Sequence, residues 1–176
     1  MGKVDKKRKV KQKSHGVPIS RALNQVQPPK DDFISISYRY FINEYFCDRK
    51  FNNHFKDSEH CGDFMHNVHL LLQELSVKKK SEILNKSYQS QMNMHPLKDK
   101  ALSIFLGLAS HLQQVDKSEI YQIKANSASD GRVIFYIQET TIFVLLYDPN
   151  HLLYRMDQYG AKEAIKHSYS PVKSSS

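Results

Sequence analysis

The spacing of hydrophobic and polar positions along the chain passes from a period of two to a helical one and back, and each stretch predicts its elements. Residues 33–42 (FISISYRYFI) alternate Phe33, Ser35 and Ser37 with Ile34, Ile36 and Tyr38, a strand with one apolar face. Residues 43–58 form a polar and aromatic connection. The period then becomes helical. Asp57 or Ser58 can cap a helix running to Ser76, whose inner face carries Phe64, Val68, Leu71, Leu72 and Leu75. Lys78-Lys79-Lys80 interrupts it, and Ser81 can cap a second helix with Ile83, Leu84 and Tyr88 inside and Met92 near its end. His95-Pro96 breaks that pattern. Residues 99–114 give a third apolar, helical segment, weakened by Gly107.

The period returns to two for residues 119–154, and the rest of the chain is organised around this stretch. Runs of β-branched and aromatic residues at 120–125, 132–138 and 141–147 read as three strands. A polar loop at 126–131 separates the first two, and a tight turn at Glu139-Thr140 separates the last two. Gaps this short join antiparallel neighbours. The third strand is apolar on both faces from Ile142 to Leu146, as expected of a strand covered by helices. Asp148-Pro149-Asn150 ends the meander. The strand at 33–42 has no hairpin mate before the helices, so it should pair with a late strand. The order predicts an α+β fold: an antiparallel sheet, built from one N-terminal strand and a C-terminal meander, packed on a helical hairpin. Residues 1–30 read as a flexible arm, 31–160 as one domain and 161–176 as a tail; the stretch from Met156 on has room for a short helix, and the Ser-rich end, 168–176, should fray.

Charge sharpens the role of the arm. The chain carries a net charge of +8, but residues 1–13 hold seven Lys/Arg and one Asp, so +6 of it lies there. The mean hydropathy of −0.59 reflects these polar ends, while nineteen Phe and Tyr supply a core. Lys6, Lys7, Arg8 and Lys9 suit a polyanion such as RNA or the ribosome, an import signal or an acidic protein, and also read as a plain solvated tail. Lys6 stands where a myristoylation signal needs Ser or Thr. No apolar run reaches the roughly 18 residues of a membrane span, and the N-terminus lacks the apolar stretch of a secretory signal. A cytoplasmic protein with reduced Cys47 and Cys61 is expected.

The chemistry concentrates at one end of the meander. Lys124 closes the first strand, Arg132 opens the second, and His151 and Tyr154 follow the third, with Arg155 beside them. Antiparallel pairing brings these groups to the same sheet end. Two cations, an imidazole and a phenol suit a phosphodiester: the cations hold the phosphate, and His and Tyr move protons or stack on bases. Each also has a plainer reading: Lys124, Arg132 and Arg155 as solvated strand-end charges, His151 as a turn residue, Tyr154 as a core-rim anchor. A second cluster of Cys47, His54, His60, Cys61, His66 and His69 could ligate zinc, but no C-x₂-C or H-E-x₂-H spacing accompanies it, and no metal is expected. His95 and His111 read as structural. There is no phosphate-cradling Gly loop, nucleophile elbow or paired-carboxylate signature, so no cofactor is implied.

The segment YQIK at 121–124, followed by GRVIFYI at 131–137, a hydrophobic strand and then His151 and Tyr154, resembles the C-terminal half of the RelE/ParE-like bacterial toxins. The likeness covers residues 119–159, and residues 33–90 by element order alone. It implies a RelE-like fold and a ribosome-dependent or free mRNA endonuclease held by a cognate antitoxin. It assigns Lys124 to the scissile phosphate, Arg132 to the transition state, His151 to the position of a basic or imidazole residue, and Tyr154 to the base. Cleavage would use the RNA 2′-OH, without metal. Gln122 replaces a second base of many relatives, and residues 94–118 have no counterpart. A gyrase-directed branch of the fold lacks nuclease function. The alternative is a non-catalytic module of the same fold binding protein or nucleic acid, including an accessory protein of a phage or mobile element.

Overall fold

The computed structural model describes residues 33–47, 51–109, 119–126, 131–154 and 161–171. The basic arm with Lys6, Lys7, Arg8 and Lys9 lies outside these residues, as do Arg155, His111, the end of the third helical segment at 110–114, loop positions 127–130 and the last residues of the Ser-rich end, 172–176.

A five-stranded sheet forms the centre. In chain order its strands are β1 (Ser35–Ser37), β2 (His95–Pro96), β3 (Ile120–Lys124), β4 (Arg132–Gln138) and β5 (Thr141–Asp148). They lie side by side as β1-β5-β4-β3-β2. The meander forms as the alternation predicts, with β3 antiparallel to β4 and β4 antiparallel to β5. The turn at Glu139-Thr140 has φ 52° at Glu139, the left-handed backbone that two-residue hairpins need.

The wholly antiparallel sheet expected from the sequence is corrected at its edge: β1 runs parallel to β5, with Ile36 opposite Ile142. No hairpin joins these two strands, so nothing local fixes their direction, and the long helical connection permits a parallel pair. The strand expected over 33–42 shortens to three residues, because the chain turns at Tyr38–Phe41 with a bond from Phe41 N to Tyr38 O. Two-residue β2 adds to the far edge, where only a pattern break was expected. His95 faces Gln122 and Pro96 faces Tyr121. Proline suits an edge because it cannot donate to a ladder.

α1 (Ser58–Ser76) covers one face of the sheet. Asp57 caps it by accepting from His60 N at 2.8 Å. Phe64, Val68, Leu71 and Leu75 are buried against Ile123, Val133, Phe135, Ile137, Ile142 and Val144. Burying each such side chain contributes about 1.5–3 kcal/mol relative to exposure. The second helix of the expected hairpin is instead two short pieces, α2 (Lys80–Ile83) and α3 (Lys86–Gln91). Asn85 restarts the helix by accepting from Ser87 N, which divides what Ser81 was expected to cap as one. α4 (Asp99–Leu108) covers the opposite face with Ala101 and Phe105, packed near Ile120, Ile134, Leu145 and Leu146. Helices therefore lie on both faces, as the doubly apolar β5 requires.

One bulge sets the register at the Arg132 end of the sheet. From Gln138↔Thr141 to Phe135↔Val144 the ladder is regular; Leu145 then has no partner, and Ile134 pairs with Leu146. Leu145 and Leu146 both face α4. The Leu145 carbonyl accepts from Ile42 N at 2.8 Å. Past the bulge, Asp148 rather than Tyr147 stands opposite Arg132.

The segment after residue 160 is tied into the domain. Asn52, fully buried, donates from Nδ2 to the carbonyls of Ile165 and His167, both at 2.9 Å, at the end of α5 (Ala161–Ala164). Phe55 and Tyr169 exchange backbone bonds, so Tyr169, within the Ser-rich end expected to fray, is paired. Asn150, in the turn after β5, donates from Nδ2 to His54 O at 2.7 Å and accepts at Oδ1 from His167 Nδ1 at 2.9 Å. Asn150 Nδ2 also donates to Asn52 O at 3.2 Å, so the turn is held by three bonds. Gly131 opens β4 where a Cβ would run into the Phe64 ring.

Candidate functional site at the sheet end

The side chains of one cross-strand row are fixed by register. Lys124, Arg132 and Asp148 are direct partners across β3, β4 and β5. Two residues back along the same face lie Gln122, Ile134 and Leu146, with His95 beyond Gln122 on β2. Ile134 and Leu146 pack under α4, so the polar row lies at the end of that face.

Arg132 is 7% exposed and Asp148 fully buried. Asp148 accepts from Leu152 N at 2.9 Å through Oδ1 and from Leu153 N at 3.0 Å through Oδ2. These bonds fold the chain back after β5 and set where His151 and Tyr154 emerge. Burial pushes the Asp148 carboxyl up to about 6, opposed by the two amides and by the Arg132 guanidinium. Arg132 Nη1 also donates to Gly131 O at 3.2 Å.

His151 has φ 54°, a left-handed conformation that histidine tolerates better than β-branched residues do. Its ring lies 6.0 Å from that of Tyr154, centroid to centroid. The Tyr154 ring is 5.6 Å from His95, edge to face, and its hydroxyl accepts from Lys98 N at 3.1 Å. His95 Nε2 meets Gln122 Nε2 at 2.7 Å. Loss of water around its inner edge, then the nearby Arg132 and Lys98 charges, lower the His95 pKa, while the Pro96 carbonyl acts in the opposite direction.

The four residues singled out in the sequence thus form two neighbouring pairs at one sheet end: Lys124 opposite Arg132 in register, and His151 with its ring near that of Tyr154. Three members of the site escaped sequence reasoning. Gln122 and Lys124 share a face by alternation along IYQIK, a signal present in the sequence. Asp148 read only as a turn former, and its place opposite Arg132 depends on the bulge. His95 read as structural beside a helix-breaking proline, and no local signal predicts a two-residue edge strand.

The His/Cys cluster disperses. His66 and His69 are exposed on α1, His54 packs on Tyr45, and His60 caps Lys56 N with Nδ1 at 3.1 Å. Among the described residues no three His, Cys, Asp or Glu side chains are grouped to hold a metal ion. A cavity of about 360 Å³ opens on the α1 side between Phe41, Tyr45, Phe55, Met65 and Tyr147, with Cys61 in its wall. Burial raises the Cys61 thiol pKa, which makes it a poor nucleophile. No helix among the described residues is long and apolar enough to cross a membrane.

A family model described as "Uncharacterised protein UU032" matches residues 37–176. The chain belongs to that family. The match takes in the whole sheet end, from His95 to Tyr154, along with the C-terminal segment. No curated protein and no solved structure matches the chain.

Proposed function

We propose that the sheet end binds an RNA phosphodiester and cleaves it without metal, on a scaffold of the RelE/ParE kind. The observation that carries this reading is the direct pairing of Lys124 with Arg132 across β3 and β4, next to the ring series His151, Tyr154 and His95. Two adjacent cations neutralise a phosphate and the extra charge of its pentacoordinate transition state. The rings supply proton transfer and a stacking surface. In the reaction the 2′ oxygen attacks the adjacent phosphorus and the P–O5′ bond breaks, which leaves a 2′,3′-cyclic phosphate and a 5′-hydroxyl. The substrate class is single-stranded RNA, free or on the ribosome, and the basic residues Lys6, Lys7, Arg8, Lys9 and Arg155 would add nonspecific attraction to it. Such a role belongs in the cytoplasm, with a cognate antitoxin as protein partner.

A second reading rests on a specific observation. Arg132 is nearly buried beside Asp148, so part of its charge serves the fold. A non-catalytic module of the same kind, such as a phage or mobile-element accessory protein, would bind RNA or protein through Lys124, Tyr154 and the arm.

The deciding experiment incubates the purified full chain with end-labelled RNA, with and without ribosomes, beside Lys124→Ala, Arg132→Ala and His151→Ala. Nuclease action predicts discrete cuts ending in cyclic phosphate, reduced on the order of 100-fold or more in the Lys124 and Arg132 variants. Binding without cuts in every condition rejects the nuclease and leaves the binding module.

A further inference from the structure

A short polar contact joins His95 to the buried Gln122. Gln122 is fully buried in β3, yet its Oε1 has no hydrogen-bond partner among the described residues. Its Nε2 lies 2.7 Å from His95 Nε2. A buried amide oxygen left alone costs about 1–3 kcal/mol, so a side chain placed this way needs a reason. A half-turn of the amide exchanges its nitrogen and oxygen without moving the backbone. The same side chain then offers the imidazole either a donor or an acceptor. It can therefore hold His95 whether the Nε2 edge is bare or protonated. Among the described residues, the ring's other nitrogen, Nδ1, has a long contact of 3.4 Å with the carbonyl of its neighbour Pro96, and His95 as a whole is exposed.

Resting on the nuclease reading above, we propose that His95 is the proton-transfer residue of the sheet end, held through Nε2 by Gln122 and acting through Nδ1. Gln122 is then a positioning residue. With the amide turned by half, its oxygen accepts from the Nε2 hydrogen, which leaves a lone pair on Nδ1. That lone pair takes the proton of the RNA 2′-OH while the 2′ oxygen bonds to phosphorus. The P–O5′ electron pair leaves with the 5′ oxygen, which takes a proton from water. The hydroxide so formed removes the proton from His95, and no proton is consumed overall. Lys124 lies two residues along the same face from Gln122, and Arg132 lies opposite Lys124, so phosphate and base share one surface. The charged and titratable groups around the imidazole are Arg132 on β4, Lys98 ahead of α4 and the Tyr154 phenol.

The test uses the full chain and the labelled RNA. His95→Gln should lower kcat by about 100- to 10,000-fold, the range of general acid–base catalysis. The wild-type rate should rise with pH up to a midpoint below the ordinary histidine value, because loss of water around the ring, and then Arg132 and Lys98, oppose protonation. Gln122→Glu sets a carboxylate against Nε2 and should move that midpoint up by about one pH unit or more, which a packing role would not do. If His95→Gln fails to fold, the midpoint in Gln122→Glu decides. Cleavage undiminished in His95→Gln, or a midpoint unmoved in Gln122→Glu, overturns the assignment and leaves the nuclease standing. Absence of cleavage by the wild-type chain overturns the nuclease and this assignment together.

Discussion

Replacing Asp148 by Asn isolates one charge whose energetics the structure fixes. Asp148 is fully buried, and its pKa is raised from 3.8 to about 6. Desolvation of the carboxylate therefore outweighs the two amide bonds from Leu152 and Leu153 and the attraction of Arg132. Between pH 4 and 6 the folded state binds this proton more tightly than the unfolded chain does, so stability falls as pH rises. The contribution is fully present below about pH 4 and lost above about pH 6. At about 1.4 kcal/mol per pKa unit, the total is about 3 kcal/mol. Asn mimics the protonated acid and carries no such dependence. Three histidines, His60, His95 and His167, have lowered pKa values and act in the opposite direction, stabilising as pH rises towards the ordinary histidine value. They are common to both proteins and cancel in the difference. The assay is urea unfolding of wild type and Asp148→Asn at pH 4, 5, 6 and 7. Wild type should lose about 3 kcal/mol relative to the variant across that range. Parallel curves would show that Arg132 and the amides fully offset the burial of the charge, and the reasoning would fail.

Two further substitutions test how the site is held. Asn52→Ala removes the donor to the Ile165 and His167 carbonyls and the acceptor of His54 N; unfolding should cost about 2–4 kcal/mol less, and amide exchange at 161–171 should accelerate before the sheet opens. Gly131→Ala forces the Phe64 ring from its place beside β4 and should destabilise by about 1–3 kcal/mol, measured by thermal melting; an unchanged melting temperature would mean the ring moves freely.

Local periodicity was a good guide wherever the chain's neighbours in space are also its neighbours in sequence. The β3–β4–β5 order and the Glu139-Thr140 turn follow from alternation and loop length. α1 and its Asp57 cap follow from apolar spacing and one side-chain oxygen. Lys124 and Arg132 could be placed at one sheet end because a hairpin has only one register that keeps Val133, Phe135 and Ile137 on the dry face. The second helix was harder to read, since Asn85 competes for the backbone in the middle of an otherwise helical pattern.

The sequence alone therefore determined the meander, the long helix and the convergence of Lys124, Arg132, His151 and Tyr154. Only the tertiary structure decided the parallel seating of β1, the edge strand that brings His95 to Gln122, and the bulge at Leu145 that exchanges Tyr147 for Asp148 opposite Arg132. The physical reason is the same in each case. Periodicity encodes which face of an element is dry, but the direction of an edge strand and a one-residue slip in register are set by contacts between distant segments. Here those contacts are the bond from Ile42 to the Leu145 carbonyl, the pairing of His95 with Gln122, and the Asn52 and Asn150 side chains that tie the turn after β5 to both ends of the domain.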